Sequence, residues 1–157
     1  MAGSVRPASR VLGAVAIGVL AAAFAGAAAE RSSESTGPGV VRLTDAQTGF
    51  TQLGNGESPG AGEIARFTLF GSTSTTRPIG HAVLMCTYVG DHERSCGGTY
   101  ILPRGTLVTA GVLRSRLLYQ QAVVGGTGVY DNARGSLTVT AKTIKPRREI
   151  LLFRLTG

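Results

Sequence analysis

From Val40 onward the chain breaks into short apolar runs separated by turn residues, with no convincing stretch of helical period. The runs are Val40 to Leu43, Ile64 to Phe70, Ile79 to Val89, Gly98 to Leu102, Thr106 to Leu113, Leu117 to Val124, Ser136 to Ala141 and Ile150 to Leu155. Eight such runs with short connections predict an antiparallel sheet that can close on itself. Leu113 to Gln121 has mixed character but lies between β-rich neighbours, so the pattern predicts an all-β fold. Pattern alone leaves barrel and sandwich open.

Two runs carry more detail. Ser136 to Ala141 alternates, with Leu137, Val139 and Ala141 on one face and Ser136, Thr138 and Thr140 on the other; either face could line the interior. Ile79 to Val89 is largely apolar on both faces, which predicts cover from both sides and hence a subunit interface on its outer side. Between Ala122 and Thr140 three glycines and an arginine-glycine pair separate two β-forming segments, read as strand, tight turn, strand. Gly125, Gly126, Gly128 and Gly135 are expected to be structural, supplying positive φ or close strand approach. The GGTG element is not a phosphate loop, because no helix is predicted after it.

The N-terminal apolar stretch is of a different kind. Arg6 and Arg10 precede the uncharged run Val11 to Ala29, which ends in Ala27-Ala28-Ala29, so residues 1–29 read as a signal peptide. A retained N-terminal anchor is the alternative. Residues 30–39 (ERSSESTGPG) have the composition of a flexible leader. Residues 40–157 then form a single domain, since the 128 residues left of the 157 suit one core. The compartment is expected to be secreted or extracytoplasmic.

Of sixteen basic residues two lie in the signal, leaving fourteen against nine acids, a formal charge of +5. The arginines are scattered apart from Lys145-Pro146-Arg147-Arg148, which reads as a solvated hairpin turn. With no basic run interleaved with stacking aromatics, no nucleic-acid partner is expected, and no stable membrane insertion after signal removal. Cys86 and Cys96, an even count in an oxidising compartment, are expected to form a disulfide. Placed opposite each other on adjacent strands, they would pair Leu84 with Gly98 and Ala82 with Tyr100. Closing that loop should contribute about 2.5 to 3 kcal/mol. Cys86, His92 and Cys96 lack a fourth ligand and a zinc spacing, so no metal is expected. No nucleophile elbow, P-loop or paired-carboxylate spacing appears.

One segment carries a likeness. VVGGTGVYDNARG, Val123 to Gly135, resembles the hallmark of the dirigent and allene oxide cyclase-like β-barrel superfamily, most closely its short secreted bacterial members. PGAGE at Pro59 to Glu63, the two cysteines, and GTYILPRG at Gly98 to Gly105 follow the order of that family. The resemblance implies an eight-stranded antiparallel barrel, and a homotrimer as in the plant relatives. It also implies that Arg134 lies toward the cavity and orients a phenolic or quinone-methide-like ligand, with Tyr130 and Asp131 beside it and Glu63 as acidic counterpart. A guanidinium at a cavity mouth can fix an oxygen-rich ligand or stabilise developing negative charge. The competing role for Arg134 is a pair with Asp131 or Glu63 that locks the barrel end.

Three functions remain open on these grounds. The barrel binds a small hydrophobic or phenolic metabolite and steers its cyclisation or coupling, an isomerase-like or dirigent-like activity needing no cofactor; it binds such a molecule without chemistry; or it is a structural or interaction barrel with a filled interior. Which holds depends on whether eight strands leave room inside.

Overall fold

The structure, a computed structural model, describes residues 39–156 except 73, 75 and 91, so the predicted signal segment and nearly all of the leader lie outside the described residues. Eight strands follow in chain order: β1 Val40–Leu53, β2 Gly62–Gly71, β3 Pro78–Gly90, β4 Glu93–Leu102, β5 Gly105–Leu113, β6 Leu118–Gly126, β7 Arg134–Ile144 and β8 Arg147–Thr156. Each pairs antiparallel with its chain neighbours and β8 returns to β1, so the sheet closes into a barrel rather than a sandwich. All eight apolar runs lie on strands. β1 continues well beyond the run that announces it, because Asp45 and Gln47 hold the inward phase set by Leu43 and only look like turn residues.

The alternation now has a direction. Leu137 and Val139 are fully buried in the barrel, while Thr138 and Thr140 face out. Likewise Ala82, Leu84, Cys86 and Tyr88 point inward from β3, leaving Met85 57% and Val89 53% exposed on the outer wall. Phe67, Tyr100, Leu107, Leu151 and Phe153 fill the centre, with the Tyr100 and Phe153 rings edge to face at 5.1 Å. Cys86 and Cys96 are bonded across β3 and β4 in the predicted register, Leu84 opposite Gly98 and Ala82 opposite Tyr100.

The connections divide the barrel into two ends. One carries the β2–β3, β4–β5 and β6–β7 connections, the other β1–β2, β3–β4, β5–β6 and β7–β8. The β6–β7 connection is more than a tight turn: a 3-10 turn, Gly128–Tyr130, sinks Tyr130 and Ala133 into the first end. It is tied to the β4–β5 turn by Val129 N–H donating to the Arg104 carbonyl at 3.0 Å. Glycine is required at this corner. Gly128 has φ +66° and a Cβ would sit 2.3 Å from the Arg104 oxygen; Gly135 has φ +134° and a Cβ would sit 2.0 Å from the Arg154 oxygen. Gly126 is also crowded, by Tyr130 and Thr106 carbonyls, whereas a Cβ on Gly125 meets nothing closer than 3.9 Å.

Candidate functional site

The other end is polar to its core. Glu63 opens β2 in phase with the inward Ala65 and Phe67, and is itself 3% exposed. Arg94 opens β4 two residues before Cys96, and Tyr88 follows Cys86 by two on β3; Tyr88 and Arg94 are paired across the ladder. All three side chains therefore meet just beyond the disulfide. Arg94 donates to Glu63 Oε1, while Glu63 Oε2 accepts from the Tyr88 hydroxyl at 3.0 Å and from Arg116 Nη2 at 2.9 Å. Arg116 comes from the β5–β6 connection and also donates to the Tyr88 oxygen at 2.6 Å and to Glu57 Oε1 at 3.1 Å.

These contacts set the charge states. Burial and the Glu63 carboxylate push the Tyr88 phenol up to about 12, so it remains a donor at neutral pH. Burial works against the charge on Arg116, but its hydrogen bond and attraction to Glu63 outweigh it and raise its pKa. Glu57, at the exposed tip of the β1–β2 loop, is held below the usual carboxylate range by its hydrogen bond from Arg116.

A second carboxylate unit lies beside the first. Glu149, 1% exposed at the start of β8, receives Arg147 through both Nε and Nη2 and accepts from the Tyr119 hydroxyl at 3.4 Å. Arg147 Nη2 also donates to the Arg116 carbonyl at 2.7 Å, which joins the two units. The Glu149 N–H donates to Asp45 Oδ1 at 3.0 Å, and burial together with the Glu149 charge pushes Asp45 up to about 8. The basic cluster 145–148 is thus only partly a solvated turn. Lys145 and Pro146 form the turn, but Arg147 points inward because the buried Glu149 two residues on requires a cation.

Above the Glu63 cluster lies a basin of about 220 Å³, lined by Glu57, Tyr88, His92, Arg94, Arg114 and Arg116. Below it, a pocket among Glu63, Phe67, Leu84, Tyr119 and Arg147 holds about 20 Å³, the space of roughly one water. At this end the larger space is therefore the basin on the mouth, not the pocket beneath it. Among the described residues no group of three or more Asp, Glu, His or Cys side chains is placed to hold a metal, and no helix is long and apolar enough to cross a membrane.

The four residues singled out from sequence do not form one site. Glu63 is the centre of the polar mouth. Tyr130, Asp131 and Arg134 lie at the opposite end, some eight residues of strand or roughly 25 Å away. Tyr130 is buried in the plug, Asp131 is exposed, and Arg134 is exposed with Nη1 donating to the Ala133 carbonyl at 3.0 Å. Among the described residues Arg134 forms no ion pair with Asp131 or Glu63. The partners that sequence reading missed are Arg94, Arg116, Tyr88, Arg147, Glu149 and Asp45. Arg94 and Tyr88 were within reach: the disulfide register puts both on the inward phase, opposite each other. Arg116 was not, since it lies on a connection where no periodicity fixes direction.

A closed eight-stranded antiparallel meander defines the fold class, and solved structures share that fold. Pyocyanin demethylase superposes with a TM-score of 0.65 at 21% identity, covering 74% of this chain and 99% of its own. A pterocarpan synthase dirigent protein gives 0.59 at 16% identity, over 74% of this chain and 84% of its own. The Diels-Alderase AbmU from Streptomyces koyangensis gives 0.59 at 15% identity, over 74% and 64%. No family model and no curated protein matches the sequence. The protein has the dirigent/allene oxide cyclase-like barrel fold.

Proposed function

We propose that this protein is an exported barrel that binds a small hydrophobic or phenolic metabolite at its polar mouth, with Arg116 as the group that recognises its oxygens and Glu63 and Tyr88 as the groups that hold Arg116 in place. The observation that carries the reading is the basin of about 220 Å³ lined by Tyr88, Arg94 and Arg116, in which the Arg116 guanidinium is partly exposed and held in place by the buried Glu63 and the Tyr88 oxygen. Arg116 offers a fork of donors to an incoming oxygen, and the exposed Glu57 carboxylate is the group such a ligand would displace from it. The fold neighbours support the reading: one is a pterocarpan synthase dirigent protein, one a Diels-Alderase and one a pyocyanin demethylase. Any reaction here would work by confinement, folding a flexible substrate against the mouth so that its ends meet. Export is supported by the signal-like N-terminus and by the disulfide.

Assembly is part of the same reading. Met85, Gly97, Ala110 and Ala122 form one outward rung across β3 to β6, flanked by exposed Val112, Leu118 and Val124, a flat wall suited to contact between copies of a homotrimer. Sedimentation of the purified protein tests this.

A second reading, a structural barrel without ligand, is favoured by the pocket of only about 20 Å³ beneath the mouth, where Phe67, Leu84 and Tyr119 close in. Incubating the purified protein with an extract of its source organism and identifying retained compounds by mass spectrometry separates the two. A converted compound marks a cyclase-like or dirigent-like enzyme, an unchanged one marks a carrier, and retention lost in Arg116→Ala places it at the mouth. Nothing retained at high protein concentration favours the structural barrel.

A further inference from the structure

The outer wall carries a second concavity, far from the mouth cluster in character and independent of the function proposed for it. Across β1, β8 and β7 the ladder aligns two outward rungs, Arg42–Leu152–Thr138 and Thr44–Ile150–Thr140. Together with Lys142, two residues further along β7, they line a groove of about 360 Å³. That volume lies within the roughly 300 to 1,000 Å³ range of small-molecule sites.

Three features of this groove agree on an occupant. Its floor is apolar, made by Leu152 and Ile150 on the central strand. Its hydroxyls are unsatisfied: Thr44 Oγ1 and Thr138 Oγ1 are shielded from solvent yet have no hydrogen-bond partner. Buried polar atoms are nearly always paired, and leaving one unpaired is costly. Its corners are cationic, since Arg42 and Lys142 stand at opposite ends of the diagonal, both exposed and, among the described residues, neither in an ion pair. The apolar wall over β3 to β6 carries no arginine or lysine on its outward positions, whereas the outward phase of β8 adds Arg148 and Arg154 on either side of Ile150 and Leu152.

We propose that the β7–β8–β1 groove is a second binding site, for an elongated amphiphile with an apolar body and acidic ends, of the class of a medium-chain or aryl dicarboxylate. Leu152 and Ile150 take the body, Arg42 and Lys142 take one acid each, and the hydroxyls of Thr44 and Thr138 donate to ligand oxygens that reach them. The separation of the two cations selects against a molecule charged at one end only.

The test is a two-dimensional amide NMR titration of the purified protein with sebacate, decanoate and decane-1,10-diol as probes. Sebacate is expected to shift the amides of Thr44, Thr138, Thr140 and Leu152 saturably, more tightly than decanoate, with the diol weakest. Arg42→Ala with Lys142→Ala, both at exposed positions that leave the core intact, should weaken sebacate about tenfold or more. Thr138→Val should weaken it without lowering thermal stability. Equal binding of the diol, shifts at Tyr88 and Arg116 instead of the groove, or an unchanged affinity in the double variant would overturn the site. So would concentration-dependent broadening at the groove without ligand, which would place a second copy of the chain there.

Discussion

At one end of the barrel Leu69, Leu102, Leu107 and Leu155 pack against Tyr130 and Ala133 of the β6–β7 plug, and at the other Glu63, Arg94, Tyr88, Arg116, Arg147 and Glu149 satisfy one another. The same eight strands supply both. The apolar end closes by the ordinary means of burying hydrocarbon and needs glycine only where backbones touch. At the polar end the barrel buries Glu63 with Arg94, and Glu149 with Arg147, although apolar residues of like volume would serve stability as well or better. Packing accounts for residue choice at the plug; at the mouth the proposed ligand role is what would account for it.

The largest effect is expected from breaking the polar end. Glu63→Ala leaves Arg94 buried at 5% exposure without its carboxylate and should cost about 3 to 5 kcal/mol in urea unfolding. Replacing both, Glu63→Leu with Arg94→Met, should restore most of that stability while abolishing ligand retention. A double variant that unfolds as readily as the single would show that the mouth is built for stability after all.

At the apolar end the comparable lever is backbone space. Gly135→Ala puts a Cβ at 2.0 Å from the Arg154 carbonyl oxygen in a backbone region that disfavours side chains, and should cost roughly 1 to 3 kcal/mol with the mouth unaffected. The check is thermal unfolding beside ligand retention: loss of both together would mean that the ends are coupled.

A third contrast is pH. Asp45, raised to about 8, holds its proton more tightly in the folded chain than in the unfolded one, whose carboxyl titrates near 3.8. Its contribution to stability is complete below that ordinary value and is lost as pH rises through about 8. Asp45→Asn keeps an acceptor for the Glu149 N–H and should flatten the profile across that window by up to about 1.4 kcal/mol per pH unit. An unchanged slope would mean that Asp45 is already ionised beside Glu149.

The strands were legible because period-2 alternation and the cysteine register constrain backbone, which local pattern encodes; closure into a barrel rather than a sandwich came from the family resemblance and not from pattern. Of the four residues read from the sequence, Glu63 alone lies in the polar mouth cluster. Glu63 lies on a strand whose inward phase can be counted from Ala65 and Phe67, but nothing local says that Arg116 folds over it from a connection 53 residues away. Asp45 and Gln47 lie beyond the apolar run Val40 to Leu43, and as polar residues on the inward phase of β1 they leave the rest of that strand unmarked by apolar pattern. Arg147 misled too: among Lys145, Pro146 and Arg148 its neighbours advertise solvent, and only the buried Glu149 explains its direction.

The smallest expected change is also the one that separates the ends most cleanly. Arg134 and Arg116 both carry a free edge of guanidinium, but Arg116 is held at the basin by Glu57, Glu63 and the Tyr88 oxygen, whereas Arg134 donates to the Ala133 carbonyl beside the plug. Arg134→Ala removes one exposed side chain and should change stability by no more than about 0.5 kcal/mol. Retention of metabolite should be unaltered in that variant and strongly reduced in Arg116→Ala, measured on the same extract. The reverse result, loss of retention with Arg134→Ala alone, would move the ligand to the plugged end, where it would have to displace Tyr130 from its buried position to reach the interior.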